Sequence, residues 1–260
     1  LEQRKLQLLP LPYFLLTFTI PAELRALFKA EPKRCYNLLF TVTAQALRDV
    51  VLSKLGGAPA ALGVLHTWSR QLVFHPHLHY IVPGGFLAEN RLRWIRLKNP
   101  KFLLPERVLG RRVRSLFRRH LAQRPELFVP AVVWQKEWIV HTQPVGSGEK
   151  ALSYLANYVQ RTALSSQRIL KEENGQTTFR YRQSDTGAWK VMTLATPEFL
   201  RRFLQHVLPS GFHRVRYFGW WSPAAKTKWE RILALLDWKA PSRPLPRPVW
   251  VKTCPCCGKP

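Results

Sequence analysis

The chain has 260 residues, of which 46% are hydrophobic and 22% charged, a composition that can bury a core and argues against disorder. Lys and Arg number 41 against 15 Asp and Glu, and the net charge of +26 indicates a polyanionic partner, nucleic acid before an anionic membrane. No apolar run reaches the roughly 20 residues of a membrane-spanning helix. Four cysteines, three of them crowded at the end, do not form a disulfide framework, so we expect a reducing, cytoplasmic, nucleoid-associated setting.

The first half of the chain alternates strand-like and helix-like patterns. Aromatic and β-branched runs predict strands, and apolar residues four apart, ended by two glycines, predict one long helix. The predicted elements are a strand over Tyr13–Ile20, helices over Ala22–Lys29 and Pro32–Leu55, strands over Ala61–Trp68 and His77–Val82, and a ribbon over Phe86–Leu97. We expect the last three to be neighbouring strands of one sheet.

The second half continues the mixture. An arginine-rich helix comes first, and its basic face either contacts a polyanion or is merely solvated. The predicted elements are helices over Pro105–Gln123, Glu149–Arg161, Pro197–Val207 and Ala224–Trp238, a strand over Trp134–His141, and a hairpin of Thr177–Arg182 with Trp189–Thr193. Four prolines in the segment Ala240–Pro248 favour an extended linker.

Two histidines on one strand are the first candidate for chemistry. In the run FHPHLHYIVPGG, His77 and His79 share one face of a strand, with Leu78 on the other. Two imidazoles side by side supply two ligands of a metal site. The alternative is an exposed polar face with no ligand.

Two tyrosines on one helix are the second candidate. Tyr154 and Tyr158 are four residues apart in ALSYLANYVQR, so their hydroxyls project from one face of a helix. They are either an aromatic stripe of the core or nucleophiles. A tyrosine hydroxyl can attack a phosphodiester that a divalent cation polarises, giving a phosphotyrosine link and a free hydroxyl.

The two motifs in this order resemble the signature of the two-tyrosine class of HUH endonucleases, specifically the rolling-circle insertion-sequence transposases. Four ordered blocks carry the similarity over nearly the whole chain. They are PYFLLTFTIPAEL at Pro12–Leu24, TWSRQLVFHPHLHYIVPGG at Thr67–Gly85, YLANYVQRTALSSQRI at Tyr154–Ile169 and FLQHVLPSGFHRVRYFGWW at Phe203–Trp221.

The resemblance implies an α+β fold, with an antiparallel central sheet flanked by helices and an HUH catalytic domain over residues 1–239. Its metal ligands are His77 and His79, its nucleophiles are Tyr154 and Tyr158, and its metal is Mg2+ or Mn2+. The implied reaction is the nicking and rejoining of single-stranded DNA or of the hairpin ends of the element. No membrane and no small-molecule substrate is expected.

Several further positions are candidates for contact with DNA or metal. The residues that could supply a third metal ligand are His66, Glu137, His141, Asn157 and Gln160, and spacing does not choose among them. The candidate phosphate contacts are Arg161, Arg168, Arg214 and Arg216. The ten tryptophans offer stacking surfaces for bases, although most are expected in the core, and Trp220 and Trp221, near Arg214 and Arg216, are the pair to test.

From its ends we expect the chain to be either a fragment truncated at both ends or the product of a decayed element. It begins with Leu and shows no signal peptide, and the cysteine-rich module that the resembled family carries before the Pro12 block is absent. Residues 240–260 are expected to be a proline-rich linker and a partial zinc knuckle. There Cys254 and Cys257 could bind Zn2+ as half of a site.

Other function classes fit less well. A catalytically inactive, DNA-binding transposase remnant remains the alternative, and metal-dependent cleavage would discriminate the two. An acidic two-metal transposase is disfavoured because the chain has only three aspartates, Asp49, Asp185 and Asp237. Dispersed basic residues argue against membrane-surface binding.

Overall fold

The computed structural model describes residues 8–124, 126–151, 163–183 and 186–239. Tyr154, Tyr158, Arg161 and the tail from residue 240, with its cysteines, lie outside the described residues. Within the described ranges no helix is long and apolar enough to cross a membrane.

The described residues form an α+β fold in which every strand pairing is antiparallel. The strands are β1 (Tyr13–Thr19), β2 (Gly57–Ala58), β3 (Ala60–Trp68), β4 (Phe74–Pro83), β5 (Gly85–Ala88), β6 (Trp94–Arg96), β7 (Val140–Gly146), β8 (Ile169–Glu173), β9 (Gln176–Arg182), β10 (Trp189–Ala195) and β11 (Val215–Gly219). The helices are α1 (Arg25–Ala30), α2 (Pro32–Leu55), α3 (Glu106–Ala122), α4 (Val132–Gln135), α5 (Thr196–Leu204) and α6 (Lys226–Leu236).

A five-stranded sheet in the order β11-β3-β4-β1-β7 forms the centre. One face packs on α2 and α3, where Phe14, Leu78 and Tyr80 enter the main hydrophobic core. The other face carries Tyr13, Leu15 and a second cluster that includes residues of α6. This confirms the predicted antiparallel sheet flanked by helices.

The long helix α2 begins and ends at the predicted residues. Pro32 occupies its first turn, where the missing backbone N–H is not needed. Gly56 ends it in a left-handed conformation at φ +73° and donates its N–H to the carbonyl oxygen of Leu52. Between these two ends the buried residues of the helix form one continuous apolar face, which packs on the sheet.

Tyr80 fixes strand β4 against α2. Its side chain is fully buried, and its hydroxyl lies 2.9 Å from the hydroxyl of Thr43. The ring occupies the space beside Gly63 of β3, where a Cβ would come within 2.6 Å of Tyr80 Cε1. Because neighbouring residues of a strand face opposite sides, anchoring Tyr80 also directs His79 to the other face.

The prediction of a strand over Trp134–His141 is wrong in its first part. Residues Val132–Gln135 form the short helix α4, and the strand begins only at Val140. The reason is packing: Val133 and Trp138 are buried beside α3, and Trp138 Nε1 donates to the carbonyl oxygen of Val133. This tertiary contact overrides the strand preference of the local sequence.

The ribbon after the histidine strand also differs from the prediction. Strands β5 and β6 form a separate three-stranded sheet with β2 rather than continuing the central sheet. The chain turns away at Gly84, whose N–H donates to the carbonyl oxygen of Pro12. Three strands, the two-residue β2, β8 and β11, were not predicted, and β11 forms an edge of the central sheet.

Candidate metal centre

Three histidines come together on the face of the central sheet opposite α2. His66 and His77 are direct partners in the β3–β4 ladder, and His79 lies two residues further along β4, on the same side. One ring nitrogen from each lies within 4.8 Å of the others. The structure thus brings His66, one of the candidates for a third ligand, together with the predicted pair.

Neighbouring oxygen atoms orient two of these rings. His77 Nδ1 lies 2.7 Å from the carbonyl oxygen of His75, and because a carbonyl only accepts, Nδ1 carries the proton. His79 Nδ1 lies 3.0 Å from the hydroxyl oxygen of Thr17 on β1. Hydrogen bonds of this kind fix the ring of a metal-binding histidine and leave Nε2 for the metal.

Burial keeps His77 and His79 neutral. It lowers the pKa of His77 to about 4. The pKa of His79 falls to about 2, first through burial and then through the neighbouring His77 and His66. Neutral imidazoles at physiological pH keep the lone pairs that a metal needs.

The donor set fits a divalent metal. Three imidazoles occupy three coordination positions, which leaves the others for water or phosphate oxygens. The fit does not select a metal, because imidazole suits several transition metals as well as Mn2+. A buried group of His66, His77 and His79 can therefore hold a metal ion whose identity the ligands leave open.

Other histidines and acids near the sheet have different partners. His75 Nδ1 lies 3.1 Å from Arg25 Nη2, and it is not part of the group of three. His141 pairs with Glu106 at 3.4 Å, and Glu137 pairs with Arg107 at 3.3 Å. Two further candidates for the third ligand, Asn157 and Gln160, lie outside the described residues.

One predicted DNA contact lies beside the cluster. The Arg214 guanidinium lies 5.5 Å from the ring centre of Trp68, and Trp68 stacks on His66 with ring centres 4.8 Å apart. This stack puts a permanent positive charge one side chain away from the histidines. A phosphate at the cluster would meet that charge.

Arg214 comes directly before β11, whereas Arg216 lies within this strand and contacts residues on the α2 side of the sheet. The Arg216 guanidinium lies 4.4 Å from the ring centre of Phe40 and 5.1 Å from that of Phe212. It also donates a hydrogen bond to Asn37 of α2. Its contacts are those of a residue that joins the sheet to α2, on the face away from the histidines.

The structure argues against base stacking by Trp220 and Trp221, the pair named for that test. They are 2% and 6% exposed, and they pack in the cluster that covers part of the histidine face. Trp189 at the start of β10, which the sequence analysis did not single out, is 54% exposed. Arg168 lies next to it, with its guanidinium 5.5 Å from the Trp189 ring centre.

The segment that carries Tyr154 and Tyr158 is flanked by described residues. Ala151 is buried in the same cluster as Tyr13 and Leu15, whose side chains lie on the histidine face. Leu164 is buried in the same cluster as Leu72, which lies in the turn between β3 and β4.

The chain resembles known proteins over most of its length. The family model Y2_Tnp, described as a putative transposase, matches residues 60–228. The putative transposase y4qJ of Sinorhizobium fredii (strain NBRC 101917 / NGR234) is 39% identical over 242 residues, which cover 84% of this chain and 61% of that protein.

The transposase for insertion sequence element IS801 of Pseudomonas savastanoi pv. phaseolicola is 30% identical over 229 residues, or 80% of this chain and 54% of that protein. The chain thus spans little more than half the length of these curated relatives. Among solved structures, the conjugative relaxase TrwC in complex with oriT DNA, a metal-free structure, has a TM-score of 0.35 and 14% identity. That match covers 87% of this chain and 73% of the relaxase chain, and it is a distant one.

Proposed function

Because the chain belongs to the Y2_Tnp family of putative transposases, we propose that it is the catalytic part of a DNA transposase. It nicks and rejoins single-stranded DNA through phosphotyrosine links, in rolling-circle transposition. The observation that carries the proposal is the group of His66, His77 and His79, in which hydrogen bonds hold the rings of His77 and His79 and burial keeps those two rings neutral. Mg2+ or Mn2+ is the proposed metal.

The residues have separate roles. The histidines hold the metal, which when bound neutralises charge that develops on the scissile phosphate. Thr17 and the carbonyl of His75 hold the rings of His79 and His77. Arg214 binds a phosphate of the same strand.

Tyr154 and Tyr158 are the proposed nucleophiles. The tyrosine hydroxyl gives up its proton as its oxygen forms a bond to phosphorus, the bond from phosphorus to one sugar oxygen breaks, and that oxygen takes up a proton in exchange and leaves as a hydroxyl. Rejoining reverses this step with a new hydroxyl. Ala151, three positions before Tyr154, is buried with residues of the histidine face, and this supports the assignment.

The test is the covalent adduct. Labelled single-stranded DNA from the ends of the parent element is incubated with the protein, with and without Mn2+, and run on a denaturing gel. We expect a metal-dependent adduct that is lost in His77→Ala and reduced or lost in Tyr154→Phe and Tyr158→Phe. Tyr181→Phe, which changes a tyrosine of a different sheet, serves as the control and keeps the adduct.

Two results would contradict the proposal. The nucleophiles are wrong if the double Tyr154→Phe, Tyr158→Phe variant cuts DNA at the rate of the unchanged protein. If the unchanged protein and His77→Ala bind DNA equally and neither cuts it, the chain is a DNA-binding remnant.

A further inference from the structure

We propose that the outer face of the sheet β8–β10 binds single-stranded DNA, with the indole of Trp189 stacking on a base. The inference rests on the proposed function, because DNA is the substrate there. It adds a binding surface outside the metal centre.

Only one face of this sheet is packed within the described residues. Phe179 and Met192 lie opposite each other on β9 and β10, and both pack with Phe199 of α5. Because side chains alternate along a strand, Arg180 and Val191 face the other side. On that outer face Trp189 is 54% and Val191 60% exposed, so an aromatic and an aliphatic side chain lie open to solvent.

Arginines surround the exposed indole. The guanidinium carbons of Arg180 and Arg168 lie 5.1 and 5.5 Å from the Trp189 ring centre, within cation–π distance. Arg182 lies directly opposite Trp189 in the β9–β10 ladder. An aromatic ring with guanidinium groups beside it offers both parts that a nucleotide needs: a surface for the base and a charge for the phosphate.

Charge on this sheet favours a nucleic acid over other occupants. The described acidic residues of these three strands are Glu172 and Glu173 on β8, and Glu173 is paired with Lys171. The surroundings of Trp189 are therefore positive, in a chain whose net charge is +26. Stacking needs an exposed base face, which a continuous duplex hides, so the occupant is single-stranded DNA.

The sheet is joined to the hairpin that carries the histidines. Leu72, in the turn between β3 and β4, is fully buried in the cluster that contains Phe179 and Phe199. Gln205, directly after α5, donates a hydrogen bond of 3.1 Å to the carbonyl oxygen of Leu72. A DNA strand bound at Trp189 is thus held by a sheet whose packed face contacts the hairpin of His66 and His77.

The experiment measures binding of a labelled oligothymidylate by fluorescence anisotropy, with EDTA present so that no metal-dependent cleavage can occur. Oligothymidylate forms no hairpin, and stacking tolerates any base. We expect Trp189→Ala to weaken binding roughly 5- to 100-fold, the range seen when a stacking aromatic is removed. Trp189→Phe should recover a large part of the affinity, because it restores an aromatic face.

The controls separate stacking from general effects. Phe128→Ala removes an aromatic side chain that is 80% exposed elsewhere, and it should bind as the unchanged protein does. The Trp189→Ala variant should bind a duplex of the same length nearly as tightly as the unchanged protein does. Arg180→Ala should weaken both single strand and duplex, because its charge acts on phosphate in either.

Three results would overturn the inference: unchanged oligothymidylate binding by Trp189→Ala, an equal loss for the duplex, or an equal loss in Phe128→Ala. Unchanged binding would assign the exposed face to another partner, such as a protein. A failure of the proposed function would give a different result: the unchanged protein would bind DNA normally but form no metal-dependent adduct.

Discussion

His66 and His77 face each other across the β3–β4 ladder, with ring centres 5.4 Å apart and ring planes nearly perpendicular. If this contact is part of a three-histidine metal site, His66→Ala should weaken Mn2+ binding strongly, since one of three protein ligands is lost. Mn2+ titration followed by electron paramagnetic resonance measures the affinity.

The matched control for His66 is His75→Ala. His75 is on the same strand as His77 but lies outside the group of three. Its removal should leave Mn2+ affinity close to that of the unchanged protein. Equal affinities for the two variants would contradict the assignment of His66 as a ligand.

We expect Thr17 to affect metal affinity by orienting His79, and not by binding the metal itself. Thr17→Val keeps the shape of the side chain but removes the hydroxyl that bonds His79 Nδ1. Loss of such a partner typically costs about 10- to 100-fold in metal affinity or activity. The affinity is read by Mn2+ titration, and Thr17→Ser, which restores a hydroxyl, should recover most of it.

Thr19→Val is the comparison for Thr17. Thr19 is also on β1 and lies opposite His77, whose Nδ1 is already bonded to the carbonyl oxygen of His75. This variant should bind Mn2+ nearly as the unchanged protein does. A comparable loss in both variants would point to damage to β1 instead of a role in orienting His79.

Substitutions of Arg214 and Arg216 should have different effects, the first on DNA binding and the second on stability. Arg214→Ala removes a charge beside the histidines and should reduce the salt slope of DNA binding by about 1. Arg216→Ala removes a guanidinium packed on Phe40 and should mainly lower the free energy of unfolding, by roughly 1 kcal/mol. Binding at several salt concentrations and urea unfolding of both variants test this, and the reverse pattern would contradict it.

The buried histidines should make the metal-free protein sensitive to mild acid. The unfolded chain binds their protons near the ordinary pKa of 6.5, but folded His77 does so only near 4. Below about pH 6.5 the unfolded state therefore holds more protons than the folded state. The free energy of unfolding decreases as the pH is lowered, until folded His77 also binds its proton. One such group contributes a slope of about 1.4 kcal/mol per pH unit in this window.

Urea unfolding in EDTA at several pH values between about 7 and about 5 measures that slope. His77→Gln removes one titrating group, so its stability should depend less steeply on pH over the same range. An identical slope for this variant and the unchanged protein would contradict the account of His77.

Gly110 of α3 tests how the helix packs on the sheet edge. Helix propensity alone predicts that Gly110→Ala stabilises the protein by about 1 kcal/mol. A Cβ at this position would instead lie 2.2 Å from the carbonyl oxygen of Trp138, so we expect destabilisation of about 1–3 kcal/mol. Thermal unfolding decides the sign, with Arg111→Ala on the exposed side of the helix as the control that changes little.

The sequence predicted the parts of the fold and site that depend on local periodicity. The bounds of α2 followed from apolar spacing and Gly56, and the shared face of His77 and His79 followed from strand alternation. His66 could not be chosen, because its position depends on the β3–β4 register, which shifts between His66 and Trp68. A slip of one residue would have turned His66 to the opposite face.

The exposure of the tryptophans also depends on long-range contacts that local sequence does not determine. Ten tryptophans are visible in the sequence, but which of them reach solvent depends on contacts between distant elements. Trp220 and Trp221 are covered by packing with α6, whereas Trp189 on the outer face of the β8–β10 sheet is 54% exposed. Neighbouring arginines occur at both places, so charge in the sequence did not separate the buried pair from the exposed one.

The three histidines all lie in one hairpin, with only a tight turn between β3 and β4. Bringing them together closes a short loop, which costs far less chain entropy than uniting ligands from remote parts of a protein. We therefore expect the ligand set to assemble early during folding, when this hairpin forms, while Thr17 of β1 joins it through a later, long-range contact.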